Sequence, residues 1–307
     1  MHANLRIGLW LVMAIVLIVA PLLLPTYPKI LLTEILIYGL FAASIDLLAG
    51  MVGRTSLGHG AIFGMAAYVV AWCQLSAGMD IWLASAAGVV GASLLALLFG
   101  VLAVRTTGVY FLLLTLALGM VVWGVAYRWV SVTGAESGLR GIARPEILVD
   151  HNMFYWFVLV VVGVVFWMLR LMVHSQFGLA LRAIRESPHR MATLGYKVPH
   201  ALTLVFLVSG FAAGVAGVLG VLLNSFVSPT SVALTQSVKG LLMAILGGIG
   251  TLWGGFVGAA VIITLENVVS FYTERWASVL GALFVLTMLF APNGIIGLWS
   301  RGKKTRG

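Results

Sequence analysis

The sequence predicts an all-α, polytopic membrane protein with about ten transmembrane helices. Of its 307 residues, 62% are hydrophobic and 9% are charged, whereas a soluble globular domain has roughly 25% charged residues. The mean hydropathy is +1.11. Because each span needs about 20 apolar residues, ten spans and their short connections occupy nearly the whole chain. We therefore expect residues 1–307 to form a single transmembrane domain without a separate soluble domain.

Apolar runs follow one another along the chain, and short polar or Pro/Gly-rich breaks separate them. They cover residues 7–24, 30–49, 57–75, 81–104, 109–130, 153–173, 202–223, 240–270 and 276–290. The first run has no small-x-small cleavage site and is interpreted as an uncleaved helix. The run 240–270 is too long for one ordinary span, and five glycines interrupt it: Gly247, Gly248, Gly250, Gly254 and Gly255. A break near residues 247–251 gives ten helices, while nine helices or a re-entrant pair are the alternatives.

Basic residues in short loops set the expected orientation, because such loops face the cytoplasm. They are Arg54, Arg105, the cluster Arg182, Arg185, Arg190 and Lys197, and the tail residues Arg301, Lys303, Lys304 and Arg306. An even number of spans places all of them, and both termini, in the cytoplasm. This pattern explains the net charge of +9 by a membrane-lipid environment rather than by nucleic-acid binding.

The sequence contains no pattern typical of an enzyme. Its six His residues are scattered without an H-E-x-x-H motif, so neither a catalytic nor a metal site is predicted. The single cysteine, Cys73, excludes an intrachain disulfide. Residues 297–304 approach a phosphate-binding loop, but Lys304 stands at its Ser/Thr position and almost no chain follows. We expect this chain to bind no ATP and no other cofactor.

Intramembrane acids are candidates for function because burial of a charge in lipid is costly. Asp46 lies about two helical turns from Arg54, so a local ion pair is expected rather than a proton relay. Glu266, beside Asn267, would contribute either to a polar path or to helix contacts. These acids do not form the spaced series expected of a proton-driven pump, which leaves a stand-alone secondary transporter as an alternative without direct support.

Two glycine-rich segments resemble each other, residues 50–58 and 247–254. Interrupted helices of this kind occur near transport paths. The candidates for the translocation path or a helix break are therefore Gly53, Ser56, His59, Gly247, Gly248 and Gly250. Close packing of membrane helices is the simpler explanation for the glycines. For His59, a hydrogen-bonded packing role is the alternative to ligand binding.

Residues 175–200 form a basic interruption between two apolar runs. Gly178 begins a helix-forming stretch in which Arg182 and Arg185 lie three residues apart on one face. Pro188 is expected to break this helix, and Gly195 to end the next helical turn. Such a basic segment either lies on lipid headgroups or docks into a groove of a soluble partner.

Six blocks follow one another in order at residues 50–59, 105–117, 133–139, 178–195 with 206–217, 246–254 and 292–297. Together they resemble permeases of ABC importers for branched-chain amino acids, the LivH/LivM family. The resemblance implies a type II-like fold of the vitamin-B12-importer kind, a bacterial inner-membrane location and alternating access. It also implies a second permease subunit, two ATPase subunits that use the ATP, and a periplasmic substrate-binding protein.

Within this resemblance, the basic segment corresponds to the ATPase-coupling loop. The residues carried over to it are Gly178, Arg182, Ala183, Arg185, Glu186 and Gly195, and Thr115 joins the candidates for the path or helix break. Family members often have Asn where Asp46 stands, and a Lys near Leu202. Sister systems carry urea, short amides or aromatic acids, so these solutes are alternatives to leucine, isoleucine and valine.

Overall fold

The computed structural model describes residues 20–22, 24–272 and 294–301, and the positions 278, 281, 282 and 285. Its principal helices are α1 (Thr26–Met51), α2 (His59–Leu75), α3 (Ile81–Ala103), α4 (Val109–Arg128), α5 (His151–His174), α6 (Gln176–Glu186), α7 (Pro188–Thr193), α8 (Val198–Asn224), α9 (Leu234–Gly247), α10 (Trp253–Tyr272) and α11 (Gly294–Arg301). Single helical turns are found at Val130–Thr133, Ala135–Ser137, Glu146–Leu148 and Pro229–Ser231, and two short strands at β1 (Leu139–Arg140) and β2 (Phe226–Val227).

Six of the described helices, α1, α3, α4, α5, α8 and α10, are long and apolar enough to cross a membrane. Helices α2 and α9 are shorter but also apolar. The structure confirms the predicted division of run 240–270, since α9 ends at Gly247 and α10 begins at Trp253. The predicted runs 7–24 and 276–290 lie largely outside the described residues, so a total of ten helices stays a prediction.

The eight apolar helices alternate in direction, which gives the bundle two distinct ends. We call the end that carries α6 and α7 the basic end. Two non-helical stretches also lie there: residues 52–58, between α1 and α2, and residues 248–252, between α9 and α10. They are called the first break and the second break. The opposite end, called the loop end, carries residues 129–150 and 225–233.

Helix α8 lies at the centre of the bundle and packs against α1, α2 and α3. Small residues permit this close approach, as is usual between membrane helices. Gly210 and Gly214 face Ala96 and Ala92 of α3 and leave no room for a Cβ atom. The glycines of α8 therefore position the core helices.

The loop end is held together by backbone pairing and by one arginine. Strand β1 pairs with β2 in antiparallel register. Arg144 donates a hydrogen bond of 2.6 Å from Nε to the Leu222 carbonyl, and a second from Nη2 to the Leu223 carbonyl. These carbonyls belong to the last turn of α8, where intrahelical donors are missing. Arg144 thus anchors the loop to the end of the central helix.

Candidate functional site

The backbone of the first break is not helical, and its polar groups form hydrogen bonds with other parts of the chain. Gly53 has φ +71°, and the Arg54 N–H donates to the Leu48 carbonyl at 3.3 Å, which closes the end of α1 around a left-handed glycine. The Leu57 N–H donates to Thr115 Oγ1 at 3.1 Å. Irregular backbone within a membrane protein requires such internal partners. The candidates Gly53 and Ser56, which is buried, therefore lie in this break, and the candidate Thr115 of α4 contacts it.

The second break is held by a carboxylate from α1. Asp46 accepts a hydrogen bond of 2.6 Å from the Gly250 N–H and one of 2.8 Å from the Leu252 N–H. Gly248 and Gly250 have φ +119° and +87°, a left-handed backbone that favours glycine. The side chain of Asp46 is fully buried. Asp46 therefore fixes the conformation of the second break.

The predicted ion pair between Asp46 and Arg54 is wrong. Arg54 lies beyond the turn at Gly53 and faces the end of α3, where Nη1 donates to the carbonyls of Val104 at 3.0 Å and Thr106 at 2.8 Å. Carbonyls at a helix C-terminus lack intrahelical donors and attract a cation. Asp46 accepts from N–H groups of the second break, and Arg54 donates to carbonyls at the end of α3. Neither charge neutralises the other.

The last turn of α1, just before the first break, is in direct contact with the second break. A Cβ atom placed on Gly50 would lie 2.5 Å from Gly250 Cα. Gly247 approaches the backbone of Gly254, and Gly294, at φ +73°, packs on Gly248. The two segments that resemble each other in sequence therefore meet at the basic end.

The basic segment folds as two short helices, as its sequence predicts. Ser175 caps α6, and Pro188 occupies the first turn of α7. Gly195 has φ +87° and follows the end of α7. Gly178 is buried against the Val173 carbonyl, where no Cβ atom would fit. The breaks at Pro188 and Gly195 are confirmed.

Helix α6 has one face toward the bundle and one toward its surroundings. Leu181 and Ile184 are buried, whereas the side chain of Leu179 is 69% exposed. Arg182 and Glu186 are exposed and Ala183 is half-buried. An amphipathic helix of this kind presents a free surface while its other face is anchored.

Arg185 connects α6 with the first break. Its Nη1 donates a hydrogen bond of 2.6 Å to the Gly50 carbonyl oxygen. The stem of the same side chain passes Gly53, where a Cβ atom would come within 3.2 Å of Arg185 Cγ. In the part of the chain that is described, Arg182 makes no comparable hydrogen bond or ion pair. The two arginines therefore differ in environment although they share a helix.

His59 lies at the start of α2 and is fully buried. Its Nε2 lies 2.7 Å from Ser209 Oγ, and that hydroxyl donates to the Ser44 carbonyl at 2.6 Å. Because the Ser209 proton is used in this way, Nε2–H is the donor to Ser209. The ring also lies 5.6 Å from that of Phe206. This environment fits the alternative of a hydrogen-bonded packing histidine.

A cavity of about 570 Å³ lies between α1, α2, α8, α9 and α10, and residues of the loop end also line it. Its polar feature is an ion pair in which Lys239 Nζ lies 2.5 Å from Glu266 Oε2. The Lys239 ammonium also lies 4.6 Å from the centroid of the Tyr38 ring, and Gln236 Nε2 donates to the Tyr38 hydroxyl at 3.3 Å. The pair places Glu266 at the cavity and also in a contact between α9 and α10.

Sequence reasoning did not single out this cavity. None of the seven residues proposed for the path or helix break lines it: Gly53, Ser56, His59, Thr115, Gly247, Gly248 and Gly250. The available signals were Glu266, already a candidate for a polar path, and Lys239, which stands at the edge of run 240–270 and lies inside α9. A Lys within a membrane helix marks a functional site by default, with an acidic partner to be sought.

The geometry described above is that of a multi-pass membrane protein with an exposed basic segment and a largely apolar cavity that contains an ion pair. A family model described as the permease component of the branched-chain amino acid transport system matches residues 27–291. The chain belongs to this family. The family is a transport component, so the prediction that the chain is not an enzyme is confirmed.

Relatives of both types in this permease family are similar to the chain. The LivM protein of Salmonella typhimurium is 24% identical over 292 residues, which cover 86% of this chain and 68% of the relative. The LivH protein of Escherichia coli is 28% identical over 286 residues, or 85% and 91% of the two chains. A probable LivH protein of Methanocaldococcus jannaschii is 25% identical over 206 residues, or 62% and 65%. No solved structure matches the chain.

Proposed function

We propose that this chain is a permease subunit of an ATP-binding cassette importer for branched-chain amino acids or related small solutes. It works in a bacterial inner membrane with a second permease subunit, two ATPase subunits and a periplasmic substrate-binding protein. Both termini face the cytoplasm, and the chain itself binds no cofactor. The description of the matched family and the names of the LivM and LivH relatives support this substrate class.

The hydrogen bond from Arg185 to the Gly50 carbonyl is the observation that carries the proposal. The outer face of α6 is free to dock an ATPase, while Arg185 attaches the same helix to the end of α1. A displacement imposed on α6 is therefore transmitted into the bundle. A segment that merely lay on lipid headgroups would not need this internal connection.

The route continues from α1 to the cavity. Asp46, one turn before Gly50 on α1, holds the second break through Gly250 and Leu252. Helix α9 ends at the second break, and Lys239 of the same helix lies in the cavity wall. ATP-driven closure of the ATPases would shift α6, then the two breaks, and then α9. In this alternating-access mechanism, the glycine-rich residues at the breaks transmit movement and the cavity holds the solute.

Reconstitution of the complete transporter in proteoliposomes tests the proposal. Leucine uptake should depend on ATP and on the binding protein. The double substitution of Arg182→Glu and Arg185→Glu should abolish uptake, because it reverses charge on the docking face and removes the bond to Gly50. Normal ATP-driven uptake in this variant would contradict the proposed role of α6. Uptake by the chain alone, driven by an ion gradient, would instead identify a secondary transporter.

The solute is tested separately. Competition of labelled leucine uptake by isoleucine, valine, urea, acetamide and benzoate distinguishes the branched-chain amino acids from the amide and aromatic-acid alternatives. We expect isoleucine and valine to compete and the other three compounds not to. Competition by urea or benzoate alone would reassign the substrate class.

A further inference from the structure

We propose that the cavity beside Lys239 and Glu266 is a binding site for a zwitterionic α-amino acid with an apolar side chain. Lys239 pairs with the carboxylate of the ligand and Glu266 with its ammonium group. This assignment rests on the proposed amino acid importer, and adds to it the residues that recognise the solute.

The position of the charges indicates a transport site. Tyr38, over which the Lys239 ammonium lies, stands halfway along α1. Charges at this depth in a membrane are costly and are retained mainly where they serve a pathway or ligand. The side chains of Lys239 and Glu266 are 20% and 26% exposed, so both reach the open volume of the cavity. A solute in the cavity can therefore contact both.

The ion pair also allows a zwitterion to bind inside an apolar bundle without leaving any charge unpaired. A buried charge without a partner is strongly destabilising. In the empty site Lys239 and Glu266 satisfy each other, and in the occupied site each pairs with the opposite charge of the ligand. Every charge has a partner in both states, so binding exchanges ion pairs without leaving an isolated charge.

The remaining walls suit an aliphatic side chain. Ile37, Phe63, Leu242 and Ile262 contribute apolar surface to the cavity. Its volume of about 570 Å³ lies within the roughly 300–1,000 Å³ of small-molecule sites. A small neutral amide such as urea would leave the apolar walls unused and would not satisfy the opposed charges. The cavity therefore combines the two properties that define an apolar amino acid.

Cysteine protection tests this site directly, because the sequence has a single cysteine, Cys73. A cysteine is introduced at Thr235, a cavity-lining residue, in a Cys73→Ala background, and labelled with a methanethiosulfonate reagent in membrane vesicles that contain the complete transporter. We expect millimolar L-leucine to slow labelling several-fold. Glu146→Cys, exposed at the loop end and outside the cavity lining, is the matched control whose labelling rate should not change.

Charge recognition is tested with ligands and variants together. Leucinamide lacks the carboxylate and 4-methylpentanoate lacks the ammonium group, so neither should protect Thr235→Cys. The double variant K239M/E266M leaves no unpaired charge and is expected to fold, yet leucine should no longer protect. A purely structural ion pair would leave protection intact in this variant, and that result would overturn the site.

The labelling result is independent of the importer assay. Absence of leucine protection in a transporter that still shows ATP-driven leucine uptake would overturn the cavity site alone. Absence of ATP-driven uptake together with intact protection would overturn the importer proposal and leave the binding site standing.

Discussion

Arg185 donates a hydrogen bond of 2.6 Å to the carbonyl oxygen of Gly50, which is 135 residues away in the sequence. The Gly50 carbonyl belongs to the last turn of α1, where carbonyl oxygens have no intrahelical donor. A cation at this end is also favoured by the helix dipole. One side chain therefore completes the end of a membrane helix and attaches the basic segment to it.

Separate substitutions of Arg185 and Arg182 should have different effects under the proposed function. Arg185→Ala removes a charge-assisted hydrogen bond worth about 1.5–3 kcal/mol. We expect ATPase subunits to bind normally while the amount of solute transported per ATP falls roughly 10-fold or more. Arg182→Ala changes only the exposed face and should weaken ATPase binding instead. Co-purification and parallel uptake and ATPase assays separate these effects, and identical behaviour of the two variants would contradict the expectation.

Substitution of Asp46 should destabilise the protein in a graded manner. Asp46→Ala leaves the buried N–H groups of Gly250 and Leu252 without acceptors, at a cost of roughly 2–5 kcal/mol. Asp46→Asn retains one acceptor oxygen and should be intermediate. Asp80→Ala is the control, because it removes an exposed cap of α3, worth about 1 kcal/mol. Thermal unfolding in detergent should rank the Asp46→Ala variant lowest, and equal midpoints for Asp46→Ala and Asp80→Ala would count against a bracing role.

Replacement of Gly50 by alanine should not be tolerated. The new Cβ atom would lie 2.5 Å from the backbone of Gly250, and a backbone cannot move aside as a side chain can. We expect little folded protein in fluorescence-detected size-exclusion chromatography. Gly163→Ala in α5 is the matched control, since no atom lies within 4 Å of its Cβ position. It should fold normally, with a helix-propensity gain of up to about 1 kcal/mol.

Substitution of Arg144 should lower the stability of the protein by weakening the attachment of the loop end to α8. Arg144→Ala removes two hydrogen bonds to the last turn of α8 and a contact with the Phe154 ring. We expect a loss of about 3–6 kcal/mol, which is the sum for two charge-assisted hydrogen bonds of about 1.5–3 kcal/mol each. Arg140→Ala removes only a contact with the Phe226 ring and should cost about 1 kcal/mol or less. Comparable thermal shifts for the two variants would contradict this difference.

The sequence pattern predicted the helices and the stops that separate them, because these depend on local composition. Apolar runs placed the described spans, the glycines at 247–250 placed the second break, and Pro188 and Gly195 placed the ends of the basic helices. Local composition does not specify how α1 is rotated in the bundle. For this reason Asp46 was assigned to Arg54, its neighbour in sequence, although its partners are 204 and 206 residues away.

The cavity was missed for a related reason. Lys239 and Glu266 belong to different helices. Glu266 was a candidate for a polar path without a known partner, and Lys239 resembled a residue at the edge of run 240–270. The second break, residues 248–252, lies between Lys239 and Glu266, however, and makes α9 and α10 antiparallel neighbours. Lys239 lies 8 residues before the end of α9 and Glu266 lies 13 residues after the start of α10, an offset of about 7.5 Å along the helices. The two long side chains span this offset, so the residues become candidates for a pair once the turn is recognised.

The acceptor of Arg185 is a main-chain oxygen, and this gives α6 an independent inward attachment. No side chain at position 50 has to match the arginine, and nothing on the outer face of α6 contributes to the bond. Under the proposed function, the choice of ATPase and the internal transmission of force are thus specified by different residues of one helix. Redesign of the outer face at Leu179 and Arg182 should therefore allow the permease to work with the ATPase subunits of another importer, with the remainder of the permease unaltered.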